Sequence, residues 1–143
     1  MSVFNSMKIN ASGLTLERLK MDVISTNISN AKTTRTPEGG PYRRKEVIFE
    51  ESLLNAKNNI TGLREKKSFG VKVTEIAEDE DYKIIYEPDH PDADENGYVM
   101  MPNVNMVDEM ISLIKTQRAY EANITALNTS KSILKKALEI SKG

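Results

Sequence analysis

Apolar residues recur at helical spacing near both ends of the chain, and the stretch between them follows a different rule. Over residues 3–31, Phe4, Met7, Ala11, Leu14, Met21 and Ile28 fall at heptad spacing, with Arg18 and Ser25 as polar gaps. A second row of Ile9, Leu16, Leu19, Val23 and Ile24 lies beside it, so the predicted helix has a broad apolar face. Gly13 weakens that helix by about 1 kcal/mol relative to Ala, and the pattern stops near Asn30. Over residues 105–142, Met106, Met110, Leu113, Tyr120, Ile124, Leu127, Leu134 and Leu138 repeat at alternating steps of four and three. Only Gln117 and Lys131 put polar groups on that seam, where they would fix the register of helix pairing. Asn105 is the expected cap, with Asp108 three residues on.

Residues 32–104 carry loop and strand signals instead. Thr33 to Pro41 is a loop by its Pro, Gly and Thr content. Short β-like runs follow at Val47–Phe49, Gly70–Thr74, Lys83–Tyr86 and Tyr98–Met100. Residues 51–68 fit either a short helix or a loop. The expected fold is therefore mainly α with a small β part: long N- and C-terminal helices pair as a coiled-coil-like axial domain around a short β-containing middle. The expected boundaries are 1–31, 32–104 and 105–143, with the two helices forming one discontinuous domain.

The helices would run about 43 Å and 55 Å at the usual rise per residue. A pair covers only one side of each broad stripe, and the middle segment offers little apolar surface to cover the rest. Apolar residues make up 38% of the chain and mean hydropathy is -0.48, so the core is thin for its length. Uncovered stripes of this size mark a protein–protein interface. The candidate interface residues on the stripes are Phe4, Met7, Leu14, Met21, Ile28, Met110, Leu113, Tyr120, Ile124, Leu127, Leu134 and Leu138.

Charge and chemistry narrow the function classes. Twenty basic and 21 acidic side chains give a net charge of -1, which argues against a nucleic-acid binder. The balance is local, not uniform: residues 75–95 hold ten acids against Lys83 alone, and residues 32–67 hold nine bases against five acids. With no cysteine and one histidine, thiolate and multi-histidine metal sites and cysteine nucleophiles are excluded. No basic region followed by an apolar run appears near residue 1, so no cleaved leader is expected, and no apolar run is long enough to insert in a membrane. Asp92-Ala93-Asp94-Glu95-Asn96-Gly97 matches the first half of a calcium loop, but Asn103 stands where a bidentate Glu belongs and two prolines preclude an entering helix. A calcium-dependent protein-binding module using residues 92–103 is thus the alternative to an acidic turn. His90, flanked by Asp89 and Asp92, has the makings of a general base, with no nucleophile spaced to use it.

Several stretches resemble one family. Asp22-Val23-Ile24-Ser25-Thr26-Asn27-Ile28-Ser29-Asn30-Ala31, Thr33 through Lys45, His90-Pro91-Asp92-Ala93, Gly97 through Asn105, and Arg118-Ala119-Tyr120-Glu121-Ala122-Asn123 are similar to bacterial flagellar basal-body rod proteins, in order along nearly the whole chain. The resemblance implies an antiparallel helix pair lining a tubular filament, an outer β-containing part, and export without a cleaved signal peptide. Its place would be the basal body on the periplasmic side, where the rod transmits torque. It implies copies of the chain, other rod proteins, the basal-body adaptor protein and the flagellar export apparatus as partners, with no cofactor, no metal and no catalytic residue. It adds Asn27 and Asn30, bonding backbone at the first helix end, and Arg43 and Arg44, linking to an adjacent subunit, as interface candidates.

Overall fold

The computed structural model of the protein describes residues 3–57 and 64–141. In chain order the elements are α1 (Val3–Ser29), β1 (Lys45–Lys57), β2 (Arg64–Glu78), β3 (Tyr82–Tyr86), β4 (Tyr98–Pro102) and α2 (Met106–Ser141). Strands β1 and β2 form one two-stranded sheet and β3 and β4 another, the latter antiparallel with Tyr82 opposite Pro102 and Tyr86 opposite Tyr98. Two long helices with a small β section is the expected class. Of the undecided stretch 51–68, residues 51–57 continue β1 and 64–68 open β2, while 58–63 lie outside the described residues. Alternation of apolar side chains is poor there, which is why the strand period was invisible.

Contacts divide the chain into two compact units. The first comprises Met1–Leu19, Ile48–Glu75 and Thr116–Gly143; the second comprises Lys20–Val47 and Ile76–Lys115. In the first, Gly13 of α1 faces α2 so closely that a Cβ there would sit 3.0 Å from Asn123 Nδ2. The glycine that lowers helix propensity is thus what lets the two helices approach. Gly70 of β2 has φ +108°, and a Cβ on it would collide with Ser12 Oγ. That hydroxyl accepts a hydrogen bond from the Val71 amide at 3.1 Å and donates to Ile9 C=O at 2.7 Å, fixing β2 on α1. In the second unit the core is small: Val23, Tyr42, Val47, Val99, Pro102 and Val104 are buried.

The buried rows differ from those the hydrophobic pattern predicts. On α1 the innermost side chains are Leu16 and Val23 of the second row, whereas Phe4 and Ala11 of the first row are exposed. On α2 the row Met106, Leu113, Tyr120, Leu127 and Leu134 is half-buried. Met110 and Leu138, and with them Gln117 and Lys131, are exposed. Gln117 and Lys131 therefore set no register between α1 and α2 within the chain. The positions that complete the inward face are Glu109, Thr116, Asn123 and Ser130, spaced by sevens and all polar; the first two are buried.

Candidate functional site

The densest polar structure in the chain forms where α1 ends, the 33–44 loop returns and α2 begins, all within the second unit. Its hub is Asn27, in the last turn of α1 and 1% exposed. Asn27 Nδ2 donates to Lys45 C=O at 2.8 Å and to Glu109 Oε2 at 3.2 Å. Its Oδ1 accepts from the Lys45 amide and from the Tyr42 hydroxyl, each at 2.9 Å. An asparagine side chain has two N–H donors and two acceptor lone pairs, so all of its capacity is used. By bonding both backbone groups of Lys45, Asn27 imitates a neighbouring strand and sets where β1 starts.

Local sequence explains why these groups meet. Helix α1 stops as the side chains of Thr26, Ser29 and Asn30 turn to local backbone; Asn30 Nδ2 and its amide both donate to Thr26 C=O, at 2.9 and 3.1 Å. Side-chain competition for helix carbonyls is the usual effect of such residues. The loop is then closed on itself: the Tyr42 amide bonds Thr33 C=O at 3.0 Å and the Thr36 amide bonds Gly40 C=O at 2.9 Å. Gly39 (φ 93°) and Gly40 (φ 78°) supply the left-handed turn that reverses the chain. The return delivers Tyr42 onto Asn27. Asn105 caps α2 through its Oδ1, which accepts from the Val107 amide at 3.1 Å. That start aims Glu109 at the junction.

Glu109 is 2% exposed and its charge is matched: Arg44 Nε donates to Oε1 at 2.7 Å, while Oε2 takes the Asn27 bond. A buried carboxylate is costly without such partners. Burial works against the Arg44 guanidinium, yet the hydrogen bond and charge of Glu109 outweigh it and raise its pKa above the ordinary value. Burial raises the Tyr42 phenol, with Lys45 opposing and Glu78 and Glu109 assisting. The half-exposed Lys45–Glu78 pair, at 3.2 Å, raises Lys45 through its hydrogen bond.

Of the expected interface residues, Asn27, Asn30 and Arg44 come together at this junction, and Arg44 is committed inside the chain. Arg43 is exposed and, among the described residues, has no ionic partner. Glu109 and Tyr42 carry no signal that periodicity could detect; the buried carboxylate of the one and the buried hydroxyl of the other, bonded to Asn27, identify them. The calcium reading finds no support: Asp94 Oδ1 accepts the amides of Asn96 at 2.9 Å and Tyr98 at 2.8 Å, and Gly97 (φ 82°) closes an ordinary turn. Among the described residues no three His, Asp or Glu side chains are placed to hold a metal. His90 Nδ1 accepts the Asp92 amide at 3.1 Å within the same turn.

Each unit has its own meeting of the two helices: Gly13 with Asn123 in the first, and Asn27 with Glu109 in the second. Two long terminal helices with exposed apolar rows, flanking a small β section, are the architecture of an axial, assembly-forming class of protein. Family models agree with that class: residues 7–35 match the flagella basal body rod protein family, and residues 95–140 match the C-terminal region of the flagellar basal body rod FlgEFG proteins. Relatives cover the chain end to end. The flagellar basal-body rod protein FlgC of Borreliella burgdorferi is 45% identical over 100% of both chains. That of Bacillus subtilis is 43% identical over 99% of this chain and 100% of its own, and that of Salmonella typhimurium 39% identical over 98% of each. The chain belongs to the FlgC family of flagellar basal-body rod proteins.

Proposed function

We infer that the protein is a structural subunit of the rod of the bacterial flagellar basal body, held in place by the apolar rows its own fold leaves uncovered. The observation that carries this reading is on the helices. Leu138 and Ile140 are 64% and 80% exposed, and Phe4, Val107, Met110, Ile111, Ile114 and Ile133 are exposed as well. No helix among the described residues is long and apolar enough to cross a membrane, so these rows serve contacts with protein. Copies of the chain, other rod proteins and the basal-body adaptor are the proposed partners, in a coiled-coil-like packing of axial helices on the periplasmic side of the cell envelope. The role is structural and asks for no catalysis or cofactor. Export through the flagellar apparatus before assembly suits a chain with so small a core. The Asn27–Glu109–Arg44 junction would then transmit torque between the axial helices and the middle segment, since it ties α1, β1 and α2 with bonds that have no slack.

The test is Leu138→Asp. An exposed substitution changes the stability of a folded chain by no more than about 0.5 kcal/mol, so the variant should be exported and fold normally. Placed in cells lacking the native protein, it should fail to enter basal bodies and leave cells non-motile. Normal rods built from Leu138→Asp chains would refute the reading.

A further inference from the structure

The β3–β4 sheet carries a second exposed apolar surface that neither helix uses. Tyr82, Ile84 and Tyr86 share one face of β3, and the register sets Met100 and Tyr98 beside Ile84 and Tyr86. All five are exposed, Ile84 and Tyr86 at 62% and 63%, although Val99 on the opposite face is 1% exposed. Tyr86 and Tyr98 hold each other edge to face at a centroid distance of 5.3 Å, so the surface is ordered. Every residue of β3 is exposed, and among the described residues its sheet has no third strand. Among those residues the edge of β3 away from β4 therefore has no strand partner, and β3 carries a single guarding charge, Lys83, with no proline and an unbroken register. Natural sheets seldom leave such an edge open.

The rim of this face is mainly acidic, with Arg43 lining it beside Glu80 and Asp81. Glu80 and Asp81 precede β3 and Glu87 follows it. A cleft of about 260 Å³ runs from Ile84, Tyr98 and Met100 to the carboxylates of Asp92 and Asp94. Asp92 accepts the Thr34 hydroxyl through Oδ2 at 2.7 Å and has Arg35 Nη1 4.0 Å from its Oδ1, while Asp94 spends Oδ1 on its own turn, so the capacity for a further cation lies chiefly at Asp94 Oδ2. Two copies meeting through this face would set acid against acid, which is unfavourable.

We propose that the β3–β4 face is a docking surface for an extended, basic segment of a different protein, which adds as a strand to the β3 edge, lays aliphatic side chains on Tyr82, Ile84 and Tyr86, and places a lysine or arginine in the Asp92–Asp94 cleft. Strand addition of this kind takes affinity from backbone bonds and specificity from alternate side chains. The inference goes beyond the rod role and is independent of the helix rows.

The test uses the full-length chain and a fluorescein-labelled octapeptide of alternating lysine and valine, followed by anisotropy. Saturable binding is expected, weakened by about tenfold or more in Ile84→Lys and, as a second variant, Tyr86→Lys, and weakened by 0.5 M salt at a roughly 4 Å Debye length. Both positions are too exposed for either change to unfold the chain. A glutamate–valine octapeptide and a lysine–valine peptide interrupted by proline should not bind. Absence of binding up to roughly 1 mM peptide, equal binding by the variants, or equal binding of the acidic peptide would each overturn the proposal. Self-association of the wild-type chain that Ile84→Lys abolishes would assign the face to a second copy and overturn it as well.

Discussion

Replacing Asn27 by alanine removes four hydrogen bonds at one stroke and leaves Lys45 N–H, Lys45 C=O, the Tyr42 hydroxyl and one oxygen of Glu109 without their partner. Neutral bonds contribute about 1 kcal/mol each and a bond to a charged group about 1.5–3 kcal/mol. The direct sum is about 5 kcal/mol. Water can reach the Lys45 side of the junction and recovers part of it, so we expect a loss of about 3–4 kcal/mol. For a chain of this size that lowers Tm by about 8–14 °C. Asn27→Asp is the sharper variant, because it keeps the shape, loses both donors and sets a carboxylate against Glu109 Oε2, now 3.2 Å away. It should be less stable than Asn27→Ala at pH 7. Thermal unfolding by circular dichroism measures both, with exposed Ser25→Ala as the reference. If Asn27→Ala lies within 1 kcal/mol of that reference, or Asn27→Asp is the more stable of the pair, the junction does not hold the helix ends as argued.

Other expectations follow from the same geometry. Glu109→Gln keeps a partner for Asn27 but removes the buried counter-charge of Arg44, leaving it the exposed Glu46 at 3.6 Å; since Arg44 is one-third exposed, the loss should be about 1–2 kcal/mol, read from urea unfolding midpoints. Gly70→Ala, strained at φ +108° and blocked by Ser12, should destabilise by about 2–4 kcal/mol, whereas Gly39→Ala, strained in open space, should cost about 1 kcal/mol. The raised phenol of Tyr42 means that the folded state holds this proton more tightly than the unfolded chain does. Its contribution is fully present below the ordinary value of 10.0 and is lost as pH rises through the folded value, so Tyr42→Phe should flatten the alkaline limb of a stability–pH curve above about pH 10.

What the sequence made legible was whatever depends on apolar periodicity and turn chemistry. Both helices, the Asn105 cap, the Pro-Gly loop and the four strand cores could be read from it because each rests on local preference. The inward face of α2 could not, since half of it is Glu109, Thr116, Asn123 and Ser130, and a polar row at core positions is silent in a hydrophobic pattern. Gln117 and Lys131 looked like register keys because the seam was drawn through Met110 and Leu138, one turn away from the row that meets α1. The same error has a constructive side: Met110 and Leu138 are apolar yet turned away from the chain's own core. Arg44 was legible as important but not as internal, because its partner lies 65 residues on.

The measurement that bears most directly on the account is hydrogen–deuterium exchange of the last turns of α2, compared between dilute monomer and purified basal bodies. The uncovered rows predict that amides around Ile133–Ile140 exchange rapidly in the monomer and become strongly protected in the assembled rod. Equal protection in both states would show that the chain covers these rows by itself, and the assembly reading would fail.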